Sequence, residues 1–219
     1  FGDSITDGYV SGGGLSSDPA VIGQNLRYPD LLARRVSAGE RFSVLNLGIG
    51  GNRLLRGPVP GFPGQGPSLL SRLEADVLGQ AGVEDVIVLI GTNDLGLPFP
   101  RVQAEEVIAG LEGVVDRLHE AGLNVLLGTQ TPASGPSFLS FGHGSPEAID
   151  ARNAINTWVR TRSGADAVVD FHAALRDPAN PDAMRPALDS GDHLHPSPAG
   201  YQAMADAVDL DALRGAPSR

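Results

Sequence analysis

Two short stretches, DVIVLI at Asp85–Ile90 and NVLLGT at Asn124–Thr129, constrain the fold of this chain most. Each is apolar at consecutive positions. A strand with one face in water alternates apolar with polar residues, whereas a continuous apolar run needs cover on both faces. FSVLNL at Phe42–Leu47 and ADAVVDF at Ala165–Phe171 read as strands of the same kind. Helical patterns lie between and after them, at Tyr28–Val36, Ser68–Leu78, Val102–Ala121, Pro146–Arg162 and Pro198–Ala207. In the third of these, Val107, Leu111, Val114, Val115 and Leu118 recur at three- and four-residue steps. Ser197 followed by Pro198 is a cap followed by a first helical turn. The alternation predicts an α/β fold, a parallel sheet with helices on both faces and right-handed crossovers. Phe1 and Gly2 read as the end of a further strand, truncated before Phe1.

At 219 residues the chain fits one domain, spanning 1–219. The net charge of −10 argues against a nucleic-acid partner. No run approaches 18 uninterrupted apolar residues, so no transmembrane segment is expected. The absence of cysteine excludes disulfides, thiolate catalysis and cysteine-bound zinc. All 16 basic residues are Arg, which removes Schiff-base lysine chemistry and the lysine of a phosphate-binding loop. Because the sequence opens inside an expected strand, it carries no legible leader and leaves secreted and cytoplasmic locations both open. Nothing in it fixes the oligomeric state.

Three Gly-, Pro- and Ser-rich stretches, Ser11–Asn25, Arg56–Ser68 and Ser134–Ser145, read as loops. Each follows a candidate strand, which is the carboxyl edge of an open parallel sheet, where ligands bind. The same edge collects the chemistry-bearing residues: Ser4 after the first strand, NLGIGGNR (Asn46–Arg53) after the second, GTND (Gly91–Asp94) after the third, and DHLHP (Asp192–Pro196) before the last helix.

A serine hydroxyl needs a base to become nucleophilic, and a histidine base needs a carboxylate to fix its tautomer. His195 and Asp192 are a candidate pair. The backbone N–H groups of Ser4 and Gly51 and the side-chain amide of Asn93 are candidate donors to an oxyanion. Each residue also has a plainer use. Ser4 is a helix cap, Gly51 and Asn93 are turn residues, Asp192 is a loop carboxylate and His195 a surface histidine. His193, His195 and Asp192 are a candidate metal set, though no separate His/Glu cluster accompanies them. GIGGNR is similar to a dinucleotide fingerprint but has Arg53 where the third glycine belongs.

Four blocks in order, GDSITDG, NLGIGGNR, GTND and DHLHP, resemble the GDSL, or SGNH, hydrolase family of esterases and lipases. The resemblance implies a three-layer sandwich with a five-stranded parallel sheet in flavodoxin-like order. It implies a catalytic set of Ser4, His195 and Asp192, an oxyanion hole from Ser4, Gly51 and Asn93, and no metal or organic cofactor. The serine is not in a G-x-S-x-G elbow, because Thr6 stands where that pattern needs glycine. The implied substrate is a small-molecule or carbohydrate ester. Aromatic content of 5% and loops with only scattered Phe62, Phe138, Leu139 and Phe141 favour short acyl groups. Longer-chain lipase, lysophospholipase or thioesterase activity is the alternative, and a catalytically idle carbohydrate-binding module of the same fold is a remote one.

Overall fold

The structure, a computed structural model, describes residues 1–9, 24–36, 43–96, 102–135 and 142–214. Among these residues a parallel sheet of three strands forms the middle layer: β1 (Asp85–Val88), β2 (Asn124–Gly128) and β3 (Ala167–Val169), in that spatial order. The helices are α1 (Ser4–Asp7), α2 (Tyr28–Val36), α3 (Leu69–Leu73), α4 (Thr92–Gly96), α5 (Ala104–Glu120), α6 (Pro146–Arg162), α7 (Phe171–Leu175) and α8 (Pro198–Asp206).

The two-residue period of the strands sorts side chains onto two cores. Val86, Val88 and Ile90, with Val125 and Leu127, pack with α3, α5 and α6 on one face. Leu89, Leu126 and Val169 pack with α2, α7 and α8 on the other. Both faces are therefore covered, which is why these strands are apolar without alternation.

The expected five-stranded sheet is not what the described residues form. Gly2 makes single parallel bridges to Leu89, at the end of β1, on one side and to Gly48 on the other, and the bridge to Gly48 does not extend into a strand. The expected strand over Phe42–Leu47 is absent over residues 43–47, and Phe42 lies outside the described residues. Val44, Leu47, Val86 and Ile87 line a cavity of about 440 Å³ at the amino ends of the strands. A strand needs a paired backbone, and among the described residues none is bridged to residues 43–47; Leu45 is 59% exposed.

Smaller differences have capping causes. The Asp166 carboxylate accepts the Val125 N–H (2.8 Å), and the Asp170 carboxylate caps α7 by accepting from Ala173 N–H (3.0 Å). These two ends shorten the expected strand Ala165–Phe171 to β3. The pattern over Ser68–Leu78 is a Ser68-capped α3 continued by a π-helical turn over Glu74–Leu78. Helix α5 starts after Gln103, whose backbone N–H donates to Glu106 (3.1 Å) in a capping box. Helices α2 and α6 have the expected ends. No helix among the described residues is long and apolar enough to cross a membrane.

Candidate active site

Ser4 is the first residue of α1, directly after the Gly2 bridges. Asp3 caps this helix by accepting the Ile5 N–H at 2.9 Å. Burial pushes the Asp3 carboxyl up to about 7, and the Asp94 charge adds to the shift against the opposing Ile5 N–H and Arg72. The chain then turns at Gly8, in the left-handed region, and Tyr9 follows.

His195 reaches Ser4 from the far end of the chain. Its Nε2 lies 2.9 Å from Ser4 Oγ and its Nδ1 2.7 Å from Asp192 Oδ2. The other carboxylate oxygen of Asp192 accepts the backbone N–H groups of Leu194 (2.9 Å) and His195 (2.8 Å), so the three-residue spacing closes a compact turn. Ser190 N–H donates to His195 O (3.0 Å), and Ser197 caps α8 just beyond. The Tyr9 ring lies 4.7 Å from the His195 ring, centroid to centroid. Tyr201 holds Tyr9 in turn by donating its hydroxyl hydrogen to Tyr9 O at 2.7 Å. Ser4, Asp192 and His195 are all buried. An imidazole held between a hydroxyl and a carboxylate in this way can take the hydroxyl proton while the carboxylate steadies the resulting imidazolium.

Gly51 has φ +73°, a left-handed conformation, and a Cβ there would come within 2.8 Å of the Gln65 side chain. Asn93, buried in α4, donates from Nδ2 to Asn52 O at 3.0 Å. Gly51 and Asn93 are thus joined through the residue after Gly51.

Beneath them lies a network that spacing alone does not announce. Asn52 Nδ2 donates to Gln65 O (2.7 Å) and Pro67 O (2.8 Å). Arg72 donates to Asn52 Oδ1 (3.1 Å), Leu47 O (3.0 Å) and Gly2 O (2.8 Å), and pairs with Asp76 at 2.8 Å. The Asp94 carboxylate accepts the N–H groups of Leu54 (2.7 Å) and Leu55 (3.1 Å), while burial raises its pKa. His143 Nε2 lies 3.2 Å from Asn93 Oδ1. Asn52 and Asp94 adjoin residues singled out from the sequence, and that adjacency was the available signal. His143, between two glycines in a loop, carries no such signal.

Ser4, His195 and Asp192 therefore form one hydrogen-bonded line, and Gly51 and Asn93 form a second group held by Asn52. Among the described residues no group of three or more His, Asp or Glu side chains gathers to hold a metal ion. Phe62 is largely exposed. Phe138, Leu139 and Phe141 lie outside the described residues, as does most of the loop Ser11–Asn25.

The model of the GDSL-like lipase/acylhydrolase family matches residues 1–203. Among curated protein sequences none matches the chain significantly. Solved structures similar to it include the following three. A lipolytic protein of the G-D-S-L family from Desulfitobacterium hafniense is 20% identical, with TM-score 0.67 and 94% of each chain covered. An aryl esterase from M. smegmatis is 19% identical, with TM-score 0.69 and coverage of 94% of this chain and 93% of the other. A carbohydrate acetylesterase from Sinorhizobium meliloti is 18% identical, with TM-score 0.68 and the same two coverages. At these identities the likeness is one of fold.

Proposed function

The chain belongs to the GDSL-like lipase/acylhydrolase family, and on that premise we propose that it is a serine esterase with Ser4 as nucleophile, His195 as base and Asp192 as its orienting acid. The observation that carries the proposal is the pair of hydrogen bonds, 2.9 and 2.7 Å, that links the three side chains. Ser4 Oγ attacks the ester carbonyl as its proton passes to His195 Nε2. The oxyanion is held by the Ser4 and Gly51 N–H groups and the Asn93 amide. His195 then gives its proton to the departing alcohol. Water, deprotonated by the same imidazole, attacks the acyl-enzyme and releases the acid, regenerating Ser4. The single bridges of Gly2 to Gly48 and Leu89, followed by β1, β2 and β3, support a five-position order of flavodoxin type.

The substrate we propose is a short-acyl ester, acetyl in type, on a carbohydrate or other small alcohol. The low aromatic content supports this, and the names of the Sinorhizobium and M. smegmatis structures make acetylated sugars and aryl esters the first to try. A series of aryl esters from acetyl to decanoyl tests it. Acetyl to butyryl esters are expected to have the highest kcat/KM. Each methylene that enters a dry pocket adds roughly 0.8 kcal/mol, so a steady climb to ten carbons would instead make the enzyme a long-chain lipase or thioesterase. Ser4→Ala is expected to keep less than about one-hundredth of wild-type kcat, and an organophosphonate is expected to label Ser4 alone. Greater residual turnover, or labelling elsewhere, would overturn the assignment.

A further inference from the structure

The Asn93 side chain is held at both ends. Its Nδ2 donates to Asn52 O at 3.0 Å, and its Oδ1 lies 3.2 Å from His143 Nε2. An amide oxygen only accepts, so His143 carries a hydrogen on Nε2. Both the neutral Nε2–H tautomer and the imidazolium provide it. Turning the amide over would set Oδ1 against the Asn52 carbonyl oxygen and Nδ2 against an N–H, two repulsive contacts in place of two hydrogen bonds. The amide therefore has one orientation, and its second Nδ2 hydrogen is fixed in the amide plane.

His143 is itself built in. The imidazole lies where a side chain on Gly96 would be, since a Cβ there would come 2.1 Å from the ring. The buried Arg152 of α6 donates from Nη1 to His143 O (3.3 Å) and to Ala133 O (3.2 Å), tying the loop of His143 to the segment after β2. His143 is as well buried as His195, but its partner is an amide rather than the nucleophile.

We propose that His143 is a positioning residue for Asn93: its Nε2–H holds the amide oxygen so that the amide N–H₂ faces the oxyanion. The proposal rests on Asn93 being an oxyanion donor. It makes the turn just before α6, which carries His143, part of the rate-setting apparatus without contact to the substrate.

The experiment compares His143→Leu, which keeps volume without a donor, with His143→Gln, which keeps an N–H of similar reach. Both are assayed on an acetyl ester in wild-type and Asn93→Ala backgrounds, with thermal melts alongside. His143→Leu is expected to lower kcat about tenfold with KM little changed, from the loss of one buried hydrogen bond. His143→Gln is expected to recover most of that loss, and neither variant to lower kcat further once Asn93 is Ala. Wild-type kcat in His143→Leu, an equal loss in both variants, or a full His143→Leu effect in the Asn93→Ala background would overturn the proposal. If Asn93→Ala alone leaves kcat unchanged, the oxyanion assignment fails first. A long-range ¹H–¹⁵N spectrum of the wild-type enzyme reads the His143 tautomer whatever the variants do, and a ring protonated only at Nδ1 would overturn the proposal.

Discussion

His193 and His195 lie two positions apart on the loop before α8, and each meets an aspartate through Nδ1, Asp189 at 2.8 Å and Asp192 at 2.7 Å. Their surroundings then diverge. His195 is buried, packed by Tyr9, and offers Nε2 to Ser4. His193 has φ +61°, uncommon for a residue with a side chain, and its ring rests on Gly135. Its side chain is one-third exposed. Asp189 also accepts the N–H groups of Gly191 (2.7 Å) and His193 (3.1 Å), so this outer pair folds the loop on which the inner pair is carried. A histidine–aspartate pair is thus not a catalytic device in itself. Burial and a hydroxyl within reach of the second ring nitrogen distinguish the one from the other.

The sharpest way to break this comparison is to neutralise the inner acid. Asp192→Asn is expected to lower kcat by roughly 10²–10⁴, because the amide favours the wrong imidazole tautomer. Steady-state kinetics on an acetyl ester reads it, and a loss under tenfold would put the two pairs on the same footing.

A third histidine sharpens the contrast through stability. His172 is buried, and its Nε2 has no hydrogen-bond partner among the described residues. Burial, then Arg160 and Arg152, push its pKa down to about 4. With the folded value below the unfolded one, its contribution is complete above about 6.5 and is lost as pH falls towards 4. The slope is up to about 1.4 kcal/mol per pH unit, the linkage of one proton. Asp3, raised to about 7, acts with the opposite sign, its contribution being lost as pH rises through that value. The reading is therefore the difference in unfolding free energy between wild type and His172→Gln from pH 4 to 7, and a difference independent of pH would refute it. The smallest effect is expected from His193→Ala. Its ring bonds Asp189 rather than Ser4 or Asp192, and one hydrogen bond contributes about 1 kcal/mol, so kcat should stay within about fivefold of wild type. A larger fall would give the outer pair a part in the chemistry.

Sequence patterns made much of this molecule legible because they are local. Helix α6 follows from Ser145, Pro146 and an apolar period, and the two cores follow from uninterrupted strands whose neighbours bury both faces. Residues 43–47 misled for the opposite reason. Their composition is that of a strand, but a strand exists only where another backbone pairs with it, and among the described residues pairing begins only beyond them, at the Gly2–Gly48 bridge. Within the candidate site, motif order led to Ser4, Asp192 and His195 being expected on one edge, and the structure brings the three side chains into hydrogen bonds there. The supports were not legible. Arg72 sits on an ordinary amphipathic helix, and nothing in its spacing says that it meets Gly2, Leu47 and Asn52. His143 meets Asn93 across 50 positions, through loops whose course only the fold determines.

The contact between Ser4 and His195 spans 191 positions. Doubling the length of a closed loop adds only about 0.6 kcal/mol of closure entropy, so the finished molecule bears this separation at little cost. The order of events is affected more. Local helices and the neighbouring β1 and β2 can form early, whereas a contact between such distant positions waits for the sheet and its covering helices to be in place. During synthesis Ser4 emerges before the segment carrying His195 and α8. If Ser4 is the nucleophile proposed above, it stays an ordinary alcohol until that segment has docked, and the appearance of esterase activity in time would mark the completion of folding.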